Sequence, residues 1–219
     1  SSGIGRAVAS LLHARGAPIE AKPFSIGFRA EHPQGLVDRA RWGRHAGHPA
    51  LGAAEYRLVH HASNGRAVYS FCMCPGGTVV AATSEVNCVV TNGMSQYSRK
   101  ERNANAGIVV GITPAVDFPG GPLAGVDLQE HYESLAYELG GRDYCAPGQL
   151  VGNFLRNEAS TALGAVQPSY KPGVLLTDFN QGTTSGKLSL RGFNGEGEVN
   201  AVKLLIDGIP SNSNDGNMP

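Results

Sequence analysis

Two cysteines separated by one residue are the most reactive pair of side chains in the sequence. Cys72 and Cys74 lie in a strand-forming run, and alternation along a β-strand predicts that both thiols project from one side of a sheet. A thiol in that position is redox-active only if its pKa is lowered. The alternative, that both sulfur atoms pack the sheet as small apolar groups, is the favoured interpretation.

Glycine and asparagine residues near these thiols form a second group of candidates. The Gly76-Gly77 pair permits close approach of the backbone to a ligand, but it equally suits a hairpin turn. Two polar stretches follow, whose amides have the chemistry to orient a carbonyl substrate, although ordinary turn formation explains them almost as well. Their candidate residues are Asn92, Gly93 and Ser95 in the first stretch, and Asn103 and Asn105 in the second.

Composition and charge exclude several other classes of function. The 219 residues carry 18 basic and 18 acidic side chains, so no net charge attracts nucleic acid or an anionic membrane. Four cysteines and seven histidines show none of the usual spacings of a metal site. No apolar run reaches the roughly 20 residues of a membrane-spanning helix, and no signal peptide is visible. We therefore expect a cytoplasmic protein with no structural metal and no nucleic-acid partner.

Local signals predict the helices that accompany these candidates. The predicted helices cover residues 1–16, 33–42 and 128–139. Gly16 suits the end of the first helix, and Pro33 suits the first turn of the second. In the third, Asp127 and Glu130 form a capping box, and the helix ends at Gly140.

The clearest β signal lies at residues 55–85. Tyr56–His61 leads into Asn64-Gly65, a dipeptide that tolerates the positive φ angles of a tight hairpin turn. Arg66–Met73 then forms the return strand, and Thr78–Thr83 is a third β-branched run. The predicted fold class is therefore α+β, with a central antiparallel meander, flanking helices and a small, poorly packed C-terminal α/β segment.

An ordered series of longer motifs runs through residues 13–175. Its members are His13–Gly16, Glu31–Gln34, Tyr69–Gly77, Val90–Ser95, Asn103–Asn105, Ala146–Gln149 and Val166–Gly173. Together they resemble the middle and later part of uncharacterised bacterial FAD-dependent dehydrogenases. In that family a Rossmann-like domain holds FAD and an inserted domain covers the isoalloxazine. The resemblance therefore implies hydride transfer through FAD, with a small-molecule substrate as partner and NAD(P)H as a further candidate partner.

The resemblance also turns the residues above into candidates for flavin or substrate contact. The cofactor-binding candidates are Cys72, Cys74, Gly76, Gly77, Asn92, Gly93, Ser95, Asn103 and Asn105. No glycine-rich dinucleotide fingerprint follows a strand in this sequence. We therefore expect weak or absent FAD binding and no catalytic competence of the chain alone, and no residue is assigned a catalytic role.

Two shorter stretches resemble other families. Ser1–Ala9 is similar to the cofactor turn of short-chain dehydrogenases, although no tyrosine is followed four residues later by lysine as that family requires. Residues 174–219, with Lys187–Phe193 and Leu204–Pro210, resemble the plug domain of TonB-dependent outer-membrane receptors. These settings do not normally share a polypeptide, so the sequence suggests a composite chain.

The resemblances predict three consecutive segments. They are a glycine-rich turn and helix at 1–16, a flavoenzyme-like substrate-side domain at 17–173, and a plug-like segment with a mobile tail at 174–219. The leading hypothesis is a fragment of an FAD-dependent oxidoreductase that covers the flavin and substrate. The alternatives are a plug-like segment of an outer-membrane receptor, or a composite chain with no evolved function.

Overall fold

The fold is that of a computed structural model of the chain. It describes residues 3–83, 85–164, 170–171, 173, 205–206 and 209–210. Antiparallel strand pairs and several helices make up this part of the chain, so the predicted α+β class is confirmed. The predicted plug-like segment at 174–219 lies almost entirely outside the described residues. The three-segment organisation therefore stays a prediction.

The helices lie at both ends and in the middle of the described chain. They are α1 (Gly3–Ala14), α2 (Gln34–Trp42), α3 (Ala124–Leu139) and α4 (Val151–Arg156). The six longer strands are β1 (Phe24–Pro33), β2 (Val59–His61), β3 (Ala67–Cys74), β4 (Gly77–Ala82), β5 (Val90–Ser95) and β6 (Asn103–Ile112). The two-residue strands are β7 (Ala146–Pro147), β8 (Tyr170–Lys171), β9 (Leu205–Ile206) and β10 (Ile209–Pro210).

The chain forms two compact units, each built from separated stretches. The first unit takes the described residues of Ser1–Ser25, Ala81–Thr91 and Gly111–Gln181. The second takes those of Ile26–Val80, Asn92–Val110 and Gly182–Pro219. All nine candidate residues lie in the second unit.

A four-stranded sheet with the order β1-β6-β3-β2 forms the centre of the second unit. The predicted hairpin is confirmed, because β2 pairs antiparallel with β3 and Val59 lies opposite Tyr69. Gly65 has a φ of +80° in the connecting turn, and the Arg66 amide donates to Asn64 Oδ1. An Asn-Gly pair thus meets the conformational demand of this turn.

The third strand of the predicted meander does not continue this sheet. β3 pairs with β6, whereas β4 pairs with β5 in a separate two-stranded sheet. The turn between β3 and β4 diverts the chain, because Gly76 has a φ of +47° and lies against the backbone of Arg99. A distant strand therefore takes the place that the local sequence suggested for β4.

A β-bulge interrupts β3 where it pairs with β6. Phe71 lies opposite Gly107 and Cys74 lies opposite Asn105, so β3 has one extra residue between these pairs. Cys72 sits in the bulge with a φ of +46°. Strict alternation, on which the shared side of Cys72 and Cys74 was predicted, therefore does not hold here. Instead, Cys74 shares a sheet face with Phe71, because their partners are two residues apart on β6.

In the first unit, α3 begins earlier than its sequence signals predicted. Its N-cap position is Leu123, which makes no side-chain capping bond, and Asp127 lies inside the first turn. The predicted capping box is therefore wrong, although an acidic residue in this turn still suits the helix dipole. The predicted end is confirmed, since the Gly140 amide donates to the carbonyl of Ala136.

The first unit closes around a small apolar core. Val89, Ala136 and Ala146 are buried in it, with Ala81 and Tyr137 packed against them. On α1, Arg6 is only 6% exposed and binds two carboxylates. Its Nη1 donates to Glu85 at 2.7 Å and its Nη2 donates to Glu133 at 2.5 Å.

Candidate functional site

Three of the nine predicted residues meet at one place in the second unit. Cys74 on β3, Gly93 on β5 and Asn105 on β6 converge on the guanidinium of Arg29 on β1. We call these four residues the Arg29 cluster. It is assembled from strands far apart in sequence, so the sheet itself is what brings these groups together.

The guanidinium of Arg29 is held by two neutral acceptors. Its Nη1 donates to Asn105 Oδ1 at 2.7 Å and to the carbonyl oxygen of Cys72 at 3.3 Å. The Cys74 thiol donates to the same Cys72 carbonyl at 3.4 Å. The bulge in β3 therefore supplies an acceptor that fixes both Arg29 and the thiol.

Gly93 brings the backbone of β5 directly against the cluster. A Cβ at this position would lie 2.8 Å from Cys74 Sγ and closer still to Arg29 Nη1 and Asn105 Oδ1. No side chain larger than hydrogen fits there without displacing the cluster. The requirement for glycine at residue 93 thus comes from space, because its backbone conformation is open to other residues.

Asn105 carries a polar atom without a partner among the described residues. Its side chain is 0% exposed, its Oδ1 accepts from Arg29, and its Nδ2 bonds to none of the described residues. An unpaired buried donor costs about 1–3 kcal/mol. The hydrogen bond to Arg29 is therefore the contact through which this buried amide takes part in the cluster.

A second polar pair lies beside the cluster on the same two strands. Asn103 Nδ2 donates to Glu31 Oε1 at 2.5 Å. Asn103 lies two residues from Asn105 on β6, and Glu31 lies two residues from Arg29 on β1. Burial raises the pKa of the Glu31 carboxyl, while the Asn103 hydrogen bond and the charge of Arg102 oppose part of the rise. Predicted residue Asn103 thus flanks the Arg29 cluster and supports Glu31.

A half-buried phenol, that of Tyr56, is also influenced by the charge of Arg29. Tyr56 and His32 form a hydrogen bond of 2.7 Å between the phenolic oxygen and Nε2. Burial raises the pKa of Tyr56 to about 12, and the positive charge of Arg29 offsets part of this effect. The phenol therefore stays protonated at neutral pH and acts here as a neutral hydrogen-bonding group.

The remaining predicted residues lie outside the cluster. Gly76 in the turn after β3 and Gly77 at the start of β4 are both buried, and a Cβ at either would collide with the backbone carbonyl of Arg99 or Met94 respectively. The buried side chain of Gln34 accepts from the Gly76 amide at 2.7 Å. These contacts favour the turn interpretation of the two glycines over direct contact with a ligand.

Asn92, Ser95 and Cys72 are exposed and bond mainly to nearby backbone. Asn92 Oδ1 accepts from the Gly93 amide at 2.9 Å, and Ser95 Oγ donates to the Pro75 carbonyl at 2.9 Å. Neither the Cys72 thiol nor the Cys74 thiol forms a disulfide. These three stay predicted contact residues at the edge of the cluster.

Comparison with known proteins gives this site a context. The chain matches the family described as FAD-dependent protein, C-terminal domain-like, over residues 23–186. The chain belongs to this family. A curated relative from Clostridium beijerinckii, described as an uncharacterized protein, is 50% identical over 165 residues. That match covers 74% of this chain and 31% of the relative, so the chain spans less than a third of the length of the relative.

The FAD-dependent family accounts for the longest predicted resemblance and not for the shorter ones. Its match begins at residue 23, after α1, and runs to residue 186, past the predicted boundary at 173. The short-chain dehydrogenase and plug resemblances find no support in these comparisons. The assignment of the chain to the FAD-dependent family does not depend on either of these two resemblances.

Arg6 lies at the start of α1, where the short-chain dehydrogenase resemblance places a cofactor turn. Its guanidinium forms ion pairs with Glu85 and Glu133. Such turns bind the diphosphate of a dinucleotide through amides and the helix dipole. The charge of Arg6 is therefore already balanced by carboxylates and does not fit a role as counter-charge to the diphosphate of FAD or NAD(P).

Arg29 is the member of the cluster that sequence reasoning missed. It lies within β1, which runs from Phe24 to Pro33. The available signal was the spacing of Arg29 and Glu31, which matches the spacing of Asn105 and Asn103. Its meaning depends on β1 lying beside β6, which no local pattern reveals.

Neither a metal-binding group of side chains nor a membrane-spanning helix is present among the described residues. No group of three or more His, Cys, Asp or Glu side chains in this part of the chain is arranged to hold a metal ion. None of the helices described is both long enough and apolar enough to cross a membrane.

Proposed function

We propose that this chain is the part of an FAD-dependent oxidoreductase that covers the flavin on its substrate side. The observation that carries the proposal is the convergence of Arg29, Cys74, Gly93 and Asn105 in a member of an FAD-dependent family. Three of these four residues were candidates on sequence grounds alone. Arg6 on α1 is already paired with two carboxylates, and no glycine-rich dinucleotide fingerprint follows a strand in the sequence, so the proposal assigns the cradle for the diphosphate to another part of the enzyme.

The chemistry of the proposed enzyme divides between cofactor and chain. When bound, FAD supplies hydride transfer. The part of this chain is to orient and surround the reacting groups. Arg29 offers a positive charge, and Asn105 holds that charge in place by accepting from Nη1. A small-molecule substrate, NAD(P)H as a candidate second partner, and a cytoplasmic location complete the proposal.

A comparison of two proteins tests whether the diphosphate of FAD is held outside this chain. This chain and the longer Clostridium beijerinckii relative are each incubated with excess FAD and passed through gel filtration. We expect the relative to retain flavin absorbance in its protein peak, and this chain to elute without it. Stoichiometric retention by this chain would refute the proposal that the diphosphate is held elsewhere. Absence of flavin from the relative would refute the flavoprotein proposal itself.

A further inference from the structure

The charge of Arg29 is not neutralised within the part of the chain that the structure describes. Its two hydrogen bonds go to the Asn105 amide and the Cys72 carbonyl, and none of the described carboxylates forms an ion pair with it. Arg6 in the first unit provides a contrast, because it forms ion pairs with Glu85 and Glu133. Arg29 is thus a half-buried cation with neutral partners.

The geometry leaves one edge of the guanidinium open. A guanidinium carries five N–H donors, and both of the hydrogen bonds of Arg29 run through Nη1. Nε and Nη2 bond to none of the described residues, and neither is a buried atom. These two atoms form the fork that binds a carboxylate through two parallel hydrogen bonds.

Two neighbours hold the guanidinium of Arg29 in position. Asn105 is completely buried and accepts from Arg29 Nη1. The backbone of Gly93 packs directly against the same side of the cluster. An arginine whose position is fixed before a ligand arrives loses less side-chain freedom on binding than a mobile surface arginine does.

We propose that Arg29 is a carboxylate-binding residue, and that the substrate class of the proposed oxidoreductase is a small organic acid. The open edge of Arg29 holds the carboxylate through Nε and Nη2, while Cys72 and Asn105 hold the opposite side of the guanidinium. The assignment of the carboxylate to a substrate rests on the proposed function. The binding of a carboxylate by this chain does not.

The experiment uses benzoate and benzamide as probes of the whole chain. The two molecules have nearly the same size and flat shape, but only benzoate carries a charge. Binding is followed through the side-chain Nε–H signal of Arg29 in nitrogen-proton correlation spectra, which is assigned by its loss in Arg29→Gln. We expect benzoate to shift this signal in a saturable manner, and benzamide to bind at least about tenfold more weakly.

Two arginine variants supply the matched comparison. Because Arg29→Gln lacks the Nε–H signal, its benzoate affinity and that of the wild type are compared by isothermal titration calorimetry. Arg29→Gln should weaken benzoate binding by at least about tenfold, or about 1.4 kcal/mol. Arg39→Gln removes the same charge from an exposed position on α2 and should change the affinity by less than about twofold. If Arg29→Gln does not fold, Arg29→Lys replaces it. Lysine keeps the charge but loses the fork, so weaker binding is again expected.

The results separate this inference from the proposed function. Equal affinity for benzoate and benzamide, or unchanged benzoate binding in the folded Arg29 variant, would overturn the carboxylate site. A shift of the Arg29 signal by lumiflavin but not by benzoate would also overturn it, while leaving the flavin-covering proposal intact. Benzoate binding as predicted, together with a relative that lacks flavin, would support the site and refute the proposed function.

Discussion

Replacing Gly93 with alanine gives the most direct test of the cluster geometry. The new Cβ would lie 2.8 Å from Cys74 Sγ and nearer to Arg29 Nη1 and Asn105 Oδ1, so these groups must move apart. Loss of the Arg29–Asn105 hydrogen bond costs about 1.5–3 kcal/mol for a charged donor. Overpacking at such a site typically costs about 1–3 kcal/mol. We therefore expect Gly93→Ala to lower the free energy of unfolding by about 3 kcal/mol.

Urea unfolding measures this loss in the unit where the cluster lies. The sequence contains one tryptophan, Trp42, and it belongs to the second unit, so its fluorescence reports on that unit. With a urea dependence of about 2 kcal/mol per molar, the midpoint should fall by roughly 1.5 M. Benzoate binding should weaken in the same variant, because the guanidinium is displaced.

Gly35→Ala is the control for this substitution. Gly35 lies in α2 of the same unit, and a Cβ there would meet only the mobile end of Arg39, at 3.4 Å. Alanine inside a helix is favoured over glycine by about 0.5–1 kcal/mol, so this variant should be slightly more stable than the wild type. A midpoint for Gly93→Ala equal to or above that of the control would refute the close packing of β5 on the Arg29 cluster.

Three further predictions concern ionisable groups and thiols. Arg6→Ala leaves two partly buried carboxylates unpaired and should lower protection of α3 amides against hydrogen exchange by about 2–3 kcal/mol, whereas Arg15→Ala, at an exposed position, should not. Burial raises the pKa of Glu31, so the stability it contributes is complete below the ordinary glutamate pKa and is lost as the pH rises through the raised value. Glu31→Gln should therefore gain stability relative to wild type as the pH rises above the ordinary glutamate pKa in urea titrations; a constant difference would contradict this. Burial also raises the pKa of the Cys88 thiol, with the nearby glutamates adding to the effect, so a disulfide reagent should modify exposed Cys72 first and Cys88 only on unfolding. Rapid labelling of Cys88 in the native protein would count against its burial.

The elements that could be predicted from sequence are those set by local contacts. The Asn64-Gly65 turn and its two strands follow from the geometry of a tight hairpin turn. Gly140 lies at the C-terminal end of α3, where its amide donates to the carbonyl of Ala136. The start of α3 was misjudged because Asp127 is favoured both as a cap and in the first turn. Local chemistry alone does not choose between those two positions.

Strand pairing across long distances could not be predicted in the same way. β4 has the composition of a third meander strand, yet β6 takes that place beside β3. The same limit applies to the candidate site. Cys74, Gly93 and Asn105 were found as separate polar or reactive residues, but Arg29 acquires its role only when β1 lies beside β6. Residue type thus identified the participants, whereas the pairing of distant strands determined which of them meet.

The extra residue in β3 has a consequence for any systematic substitution survey of this strand. Before it, odd-numbered positions such as Tyr69 and Phe71 share a face with Gly107 and Val109, whereas after it the even-numbered Cys74 occupies that face. Tolerance to polar replacement should therefore alternate from residue to residue along β3, and the more tolerant positions should change between odd and even numbers between residues 71 and 74. Deleting one residue from the bulge would restore one alternating pattern along the whole of β3. It would also remove the Cys72 carbonyl that accepts from the guanidinium of Arg29.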